Sequence, residues 1–232
     1  MYLKMKDRVQ MIGKWQADAG FTLIEMIGVL AVIAILVALL LPKVFDVMAE
    51  SKVRALVAAV RTHKTAIVDY CADIRSILPL DVDGVPSVET TGDSANPLSL
   101  PARLTLDKSD PLNTGTNRWV KFRGPYLPNF SSDVPPGLGT RVFMPVRDVP
   151  AFGTTTTATN RGYDFDNDGN SDIPTNAHVV FLRFRSVALQ DYERVDSILD
   201  PGIGSTEAER QVRGQVKYDA ATNRMRVYLL HK

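Results

Sequence analysis

The stretch that decides the fold reads GFTLIEMIGVLAVIAILVALLLP and covers residues 20–42. Between Phe21 and Leu41, only Thr22 and Glu25 interrupt an otherwise apolar run. At about 1.5 Å per residue, a helix over this run is about 31 Å long, close to the hydrocarbon thickness of a bilayer. The run therefore predicts one membrane-spanning helix rather than a buried core helix.

The residues before this run differ in character from a secretory signal peptide. Residues 1–20 are polar, and the small residues Ala19 and Gly20 precede the apolar run, whereas a signal peptidase site follows it. A cut after Gly20 would remove a polar leader and keep the helix. Basic residues in the leader favour a cytoplasmic N-terminus, although charge counting alone does not decide the orientation. The charges that matter here are Lys4, Lys6, Arg8 and Lys14 before the helix and Lys43, Lys52 and Arg54 after it.

Glu25 is chemically out of place in the apolar run. A lone carboxylate in hydrocarbon is costly, so it needs a partner or a functional reason. A cut after Gly20 would create an α-amino group on Phe21, one helical turn away, where the helix dipole also favours a carboxylate. Glu25 can equally pair with the amino terminus of a neighbouring chain, in which case its charge would favour the assembly of correctly staggered chains. A plain position at the membrane interface is the third alternative.

The string Gly20–Glu25, the basic leader and the apolar helix resemble the class III signal of type IV pilins and type II secretion pseudopilins. The resemblance extends to Pro42, where this family usually carries a helix-kinking proline. It implies that Gly20 is the last leader residue recognised by a prepilin peptidase and that Phe21 is the new, N-methylated terminus. It also implies that Glu25 pairs with the N-terminus of an adjacent subunit during filament assembly.

Two details of this segment depart from the usual family pattern. The leader is longer than many, so that Met5 or Met11 is an alternative start to Met1. Ala34 stands where many relatives carry glycine, which makes local unwinding of the helix in a filament less expected.

Beyond Pro42 the sequence predicts that the helix continues to about Leu78. From Val53 onward the apolar positions recur mostly every three or four residues, as an amphipathic helix requires, and Cys71 falls on this face as an ordinary core residue. Pro79 then ends the helix. The resulting division is a leader at 1–20, a transmembrane and filament-core helix at 21–42, its amphipathic continuation at 43–78 and a periplasmic β-rich domain at 79–232.

The remainder of the chain predicts an α+β fold of the type IV pilin-like kind, in which the long helix packs on a small antiparallel sheet. The expected elements are strands at 118–122, 140–146 and 178–187, a solvated loop at 154–160, a helix at 188–199, and two final strands around an Asp219–Asn223 turn. The string Gly124-Pro125-Tyr126-Leu127 is similar to the region after the variable loop of major pseudopilins. The Asp-Pro-Trp-Gly that usually follows in them is absent.

Residues 164–172 read DFDNDGNSD and place oxygen-bearing groups at alternate positions, with a glycine at the sixth, as a calcium loop does. The predicted ligands are Asp164, Asp166, Asp168, Asn170 through its backbone carbonyl, and Asp172. The twelfth position is Thr175 rather than the bidentate glutamate of an EF-hand, so a further ligand would have to come from elsewhere. The alternative is a solvated turn without metal. Major pseudopilins also carry a late calcium loop, with a different ligand pattern.

Composition excludes several other classes. The chain has 232 residues, and its single cysteine excludes an internal disulfide framework. Its 27 basic residues nearly balance its 26 acidic ones, which argues against a dedicated nucleic-acid binder. The three histidines show no metal-binding spacing, and no nucleotide-binding or serine-hydrolase motif is present, so we expect no enzymatic activity.

Three functions stay open from the sequence. The leading one is a type II secretion pseudopilin in the bacterial inner membrane, with its C-terminal domain periplasmic. Its partners would be further copies, other pilin-like subunits, the prepilin peptidase, the inner-membrane assembly platform and membrane lipid, and no nucleic acid is expected. The second is a structural or minor pilin of a type IV pilus, serving adhesion, twitching or DNA uptake. The third is a membrane-anchored periplasmic binding module.

Overall fold

The computed structural model describes residues 20–88, 91–110, 117–130, 138–148, 163–168, 170–174 and 177–232. The predicted leader residues before Gly20 and the predicted loop at 154–160 lie outside these ranges. The chain divides into two compact units, one ending at Phe45 and one running Asp46–Lys232. Each unit is described by itself below.

Helix α1, Leu23–Ile74, has 52 residues and includes Pro42. It ends four residues before the predicted Leu78 because Arg75 adopts a left-handed backbone, with φ at 58°. The Arg75 amide still donates to the Cys71 carbonyl at 2.8 Å, while the Lys232 ammonium donates to the Arg75 carbonyl at 3.1 Å. The last turn is thus closed by a cation from the chain's C-terminal residue, as a helix C-terminus favours.

Within the first unit, α1 is apolar and exposed. Every residue from Phe21 to Phe45 is exposed, and large apolar side chains point outward on all sides. Among the described residues, α1 is the one helix that is long and apolar enough to cross a membrane. A helix that is apolar all round needs an apolar surrounding, either lipid or other helices.

Within the second unit, α1 is amphipathic. Its buried positions from Val53 onward follow one another by one, three or four residues, apart from one step of six, and so lie on one face as predicted: Val53, Leu56, Val57, Val60, Ala66, Ile67, Tyr70 and Ile74. All of these side chains except Val57 form one hydrophobic core with the inner face of a β-sheet. Cys71 is half-buried and packs at the edge of this core, in agreement with its predicted place on the apolar face.

The sheet is antiparallel and has five strands: β1 Arg141–Phe143, β2 Val146–Asp148, β3 His178–Arg185, β4 Val216–Asp219 and β5 Arg224–His231. Its order is β1-β3-β5-β4, and β2 also pairs with β3. The predicted final hairpin is confirmed, with β4 and β5 joined across Asp219–Asn223. Helix α2 spans Leu100–Thr105, α3 Leu189–Leu199 and α4 Glu207–Arg210. The predicted α+β fold is confirmed.

Three predicted strands need correction. Residues 118–122 belong mainly to a 3-10 helix, Asn117–Lys121, because its tight turn directs both Trp119 and Phe122 into the core. The predicted strand at 140–146 is two short strands, β1 and β2, separated at Pro145, which has no amide hydrogen to donate. The strand predicted to reach residue 187 ends at Arg185, since Ser186 has a φ of 57°.

The Gly124-Pro125-Tyr126-Leu127 string attaches the loop after the 3-10 helix to α1 and α2. The Tyr126 hydroxyl donates to Asp73 of α1 at 2.8 Å, and the amides of Tyr126 and Leu127 both donate to the Leu104 carbonyl, at 2.8 and 2.9 Å. The Gly124–Pro125 peptide is cis. The string therefore joins this loop to both helices.

Asp196 on α3 makes stability depend on pH. Its carboxyl group is buried, and burial together with nearby Asp200 raises the pKa of Asp196 to about 7 despite Arg210 at 4.0 Å. The folded chain holds a proton there that the unfolded chain releases near pH 4. This contribution to stability is therefore complete below pH 4 and is lost as the pH rises to 7.

We expect the Asp196→Asn variant to lose less stability than the parent chain between pH 5 and pH 8, by on the order of 2 kcal/mol. Urea unfolding of the full chain in detergent micelles, followed by circular dichroism, measures this difference. Burial also raises the pKa of Asp200, so part of the pH dependence stays in the variant. Identical pH profiles for the two chains would contradict the assignment.

Candidate functional site

The start of α1 brings the predicted processing and assembly residues together. Glu25 accepts hydrogen bonds from the amide and the hydroxyl of Thr22, both at 2.8 Å, and the Glu25 amide donates back to the Thr22 hydroxyl at 3.3 Å. This reciprocal pattern is a capping box, in which two backbone donors of the first turn are satisfied. The Thr22-x-x-Glu25 spacing is itself the sequence signature of such a box.

The cap fixes where the carboxylate lies. Because Glu25 is bonded back to Thr22, its charge is held at the N-terminal end of the helix, where unsatisfied amides make a negative charge favourable. The side chain of Glu25 is exposed, so a cation from outside the chain can also reach it. Chemically, this carboxylate can bind an ammonium group, either the one that cleavage would create on Phe21 or that of another copy.

The predicted cleavage position is open. Gly20 is exposed, and a side chain at this position would meet no atom within 4 Å. Phe21 is 81% exposed. A peptidase can therefore reach the bond between Gly20 and Phe21 without displacing any part of the described chain.

The Asp-rich loop brings together three of the five predicted metal ligands. One carboxylate oxygen from each of Asp164, Asp166 and Asp172 lies within 4.8 Å of the others. Asp166 and Asp172 are exposed, and Asp164 is nearly buried. Gly169 and Thr175, the predicted sixth and twelfth positions of the loop, lie outside the described residues.

Asp168 is not part of this group of three. Its carboxylate accepts from the amide and the side-chain amide of Asn170, at 2.7 and 3.1 Å, and these hydrogen bonds lower the pKa of Asp168. Its own amide donates to Asp166 at 3.1 Å. The loop is thus a chain of Asx turns, closed by a 2.5 Å hydrogen bond from the Phe165 amide to Asp172.

Arg213 attaches this loop to the segment around α4. It donates to the side chain of Asn167 at 2.7 Å and lies 3.6 Å from the Asp164 carboxylate. The Gly214 amide also donates to the Asp164 carbonyl at 2.6 Å. Arg213 partly neutralises the acidic group, and nothing in the sequence predicts this, because more than forty residues separate it from the loop.

The residues of this group suit a hard cation. Three carboxylates provide oxygen ligands, which Ca²⁺ prefers, and exposed Asp166 and Asp172 leave room for water to complete a coordination shell of six to eight. Arg213 opposes binding, since it already offsets one negative charge.

Comparison with known proteins bears on the first of these two sites. Residues 15–41 match a family model described as the prokaryotic N-terminal methylation motif. The motif and the helix support a type IV pilin-like protein. Proteins of this kind are structural, are processed by a prepilin peptidase and form filaments with other pilin subunits. The single N-terminal apolar helix suggests a single-pass membrane anchor. Neither the curated proteins nor the solved structures give a match to the chain.

Proposed function

We propose that the chain is a pseudopilin of a type II secretion system, extracted from the inner membrane into a short periplasmic filament that drives protein export. The observation that carries the proposal is the first unit: an exposed apolar helix that follows Gly20 and Phe21 and has the capped Glu25 in its first turn. Lipid covers this helix before assembly, and the equivalent helices of neighbouring copies cover it in the filament.

In this mechanism cleavage creates the charge that Glu25 needs. Removal of the leader leaves an α-amino group on Phe21, and its methylation keeps the positive charge. As a subunit leaves the membrane, Glu25 of that subunit pairs with the amino terminus of its neighbour. An uncompensated carboxylate in hydrocarbon is costly, so correctly staggered neighbours are favoured over other arrangements.

Two features favour a pseudopilin over a pilus pilin. The chain has one cysteine and therefore lacks the C-terminal disulfide loop common in such pilins. The Gly-Pro-Tyr-Leu string is similar to major pseudopilins, and Tyr126 and Leu127 hydrogen-bond to Asp73 and Leu104 of the same domain.

Deletion of the gene tests the proposal, with exported proteins assayed in the medium and the periplasm. We expect folded export substrates to accumulate in the periplasm while surface pili persist. Complementation with the Glu25→Ala chain is expected to restore processed protein in the membrane but not secretion. Intact secretion with loss of surface filaments or twitching would assign the chain to a type IV pilus instead.

We propose in addition that the Asp-rich loop binds calcium through Asp164, Asp166 and Asp172, with Asn170 contributing its carbonyl. The clustering of three carboxylate oxygens within 4.8 Å supports this, because Arg213 offsets only one of three like charges that repel one another, and a bound cation would offset the others. Bound calcium would stabilise the hydrophobic cluster that contains Tyr163, Phe181 and Tyr228, because Tyr163 and Phe165, which pack in it, lie on either side of the ligand Asp164.

Calcium is expected to raise the unfolding temperature of the full chain in detergent micelles by several degrees over a sample in EGTA, since a ligand of the folded state stabilises it. Magnesium at equal concentration is the control for ionic strength. The Asp166→Asn, Asp172→Asn double variant is expected to lose the calcium effect. An unchanged unfolding temperature at millimolar calcium would contradict the proposal.

A further inference from the structure

The face of the sheet that points away from α1 is strongly basic. Along the strands, buried side chains of the core alternate with side chains on this outer face, and cross-strand register places the outward residues beside one another. The outward basic residues that reach the surface are Arg141 of β1, Arg183 and Arg185 of β3, and Arg224 and Arg226 of β5, whereas Lys217 of β4 is buried under the Tyr163 ring.

Three of these arginines gather over one aromatic ring. The guanidinium carbons of Arg141, Arg183 and Arg185 lie 5.0, 4.9 and 4.7 Å from the centre of the Phe143 ring. Phe143 is only 5% exposed beneath them, whereas Arg141 and Arg185 are exposed. We call Arg141, Arg183 and Arg185 the arginine cluster.

The Phe143 ring gathers the three guanidinium groups around it, and Arg141 and Arg185 are exposed to solvent. Guanidinium groups bind carboxylates through their N–H donors, and holding the groups in place in advance reduces the entropy lost on binding. Asp93 contacts Arg141 at 3.2 Å and offsets part of the charge. Three cations within about 10 Å of one another, as their distances from one ring require, still form a positively charged surface.

The opposite end of the same sheet face carries the Asp-rich loop. There Tyr163 and Phe165 pack on Val179, Phe181 and Tyr228, which face outward from β3 and β5. The carboxylates of the loop are held in place by its Asx turns and by Arg213, and exposed Asp166 and Asp168 point negative charge into solvent. One domain therefore presents a basic surface and an acidic surface at two ends of one face.

We infer that the arginine cluster of one chain docks the Asp-rich loop of a second copy. This rests on the proposed filament function and adds a contact between its globular domains. Two complementary surfaces at different places on one subunit make a head-to-tail interface, which propagates as an open filament unless the rotation closes it into a ring. The near-neutral charge of the whole chain, 27 basic against 26 acidic residues, fits self-association better than binding to nucleic acid.

Asp168 is the best-placed partner for the cluster. It lies outside the group formed by Asp164, Asp166 and Asp172, so an arginine that binds it does not compete with a cation held by those three. On the basic side Arg185 is the most suitable residue to change, because it is exposed and lies closest to the ring among the three arginines.

Charge exchange in the full chain tests this docking in cells that assemble the filament. Arg185→Glu and Asp168→Arg are each expected to lower the yield of filaments by about tenfold, since they place like charges opposite one another. The double variant is expected to recover most of that loss. Lys121→Glu is the matched control, because it makes the same charge change at an exposed residue of the 3-10 helix and should leave the yield unchanged.

Cross-linking then tests whether the two surfaces meet. Two differently tagged full chains, both carrying Cys71→Ser, are expressed together, one with Arg185→Cys and the other with Asp168→Cys. Oxidation of the filaments is expected to give dimers that contain both tags. Filaments without mixed dimers, together with a failure of the double charge variant to recover, would overturn the inference and leave the proposed function intact.

Other outcomes separate the remaining explanations. If the chain forms no filament even without substitutions, the proposed function is wrong and the docking inference falls with it. A gel-shift assay tests whether the detergent-solubilised chain binds a single-stranded DNA oligonucleotide. If it does, and if Arg185→Glu removes this binding without changing the yield of filaments, the arginine cluster binds nucleic acid and the inference is wrong.

Discussion

A chain with Gly20→Trp is expected to stay uncleaved, and its product in membranes is expected to be longer by the 20 residues before Phe21. Gly20 is exposed, and a Cβ atom there would meet no atom within 4 Å, so we expect the substitution to leave the described fold unchanged. The loss arises in the peptidase, which according to the family resemblance accepts a small residue at this position. Gly20→Ala is expected to be processed, although less efficiently.

We expect the uncleaved Gly20→Trp chain to form no filaments. Without cleavage Phe21 has no α-amino group, and the partner proposed for Glu25 does not exist. Mass spectrometry of the membrane protein measures both the cut and the methyl group on Phe21. Gly28→Trp is the matched control, because Gly28 also has open space around it and lies within the helix rather than at the cut. Normal processing of Gly20→Trp would contradict the assigned cleavage site.

Phe122→Ala is expected to destabilise the second unit by about 3–5 kcal/mol, the usual cost of removing a large buried aromatic side chain. Phe122 is fully buried and makes edge-to-face contacts with Tyr70 of α1 and with Trp119 and Tyr126, with ring centres 5.2–6.4 Å apart. It therefore joins the long helix to the 3-10 helix and to the Gly-Pro-Tyr-Leu string.

Urea unfolding of the full chain in detergent micelles, followed by circular dichroism, measures this loss. Val120→Ala is the control, since Val120 is in the same 3-10 helix but is 66% exposed, and its replacement is expected to cost less than about 0.5 kcal/mol. A cost below about 1 kcal/mol for Phe122→Ala would show that the aromatic group does not hold these elements together.

The final hairpin and helix α3 illustrate what local patterns predict well. The last two strands are separated by a polar turn at Asp219–Asn223, and α3 begins one residue from its predicted start. Both depend on turn residues and on periodicity within a few neighbours. The strand predicted at 118–122 is wrong because Trp119 and Phe122 are three residues apart. That spacing places both side chains on one side of a 3-10 turn but on opposite faces of a strand.

Of the five metal ligands predicted from local sequence, the fold brings three together. Alternating oxygen ligands in the sequence point to all of Asp164, Asp166, Asp168, Asn170 and Asp172, but the group of three depends on how the loop folds back on itself. Arg213, which approaches Asp164 from the segment after α4, has no counterpart in any local pattern. Contacts of this kind form only when the core brings distant segments together.

The sequence by itself determined an apolar helix with a carboxylate at Glu25 near its start, and it predicts the leader and the cut after Gly20. These are properties of neighbouring residues, since helix periodicity, capping and hydropathy all act over one or two turns. Only the tertiary structure placed Arg141, Arg183 and Arg185 over Phe143, because β-strand register joins residues that are far apart in the chain. Side-chain charges become a surface only once that register is fixed.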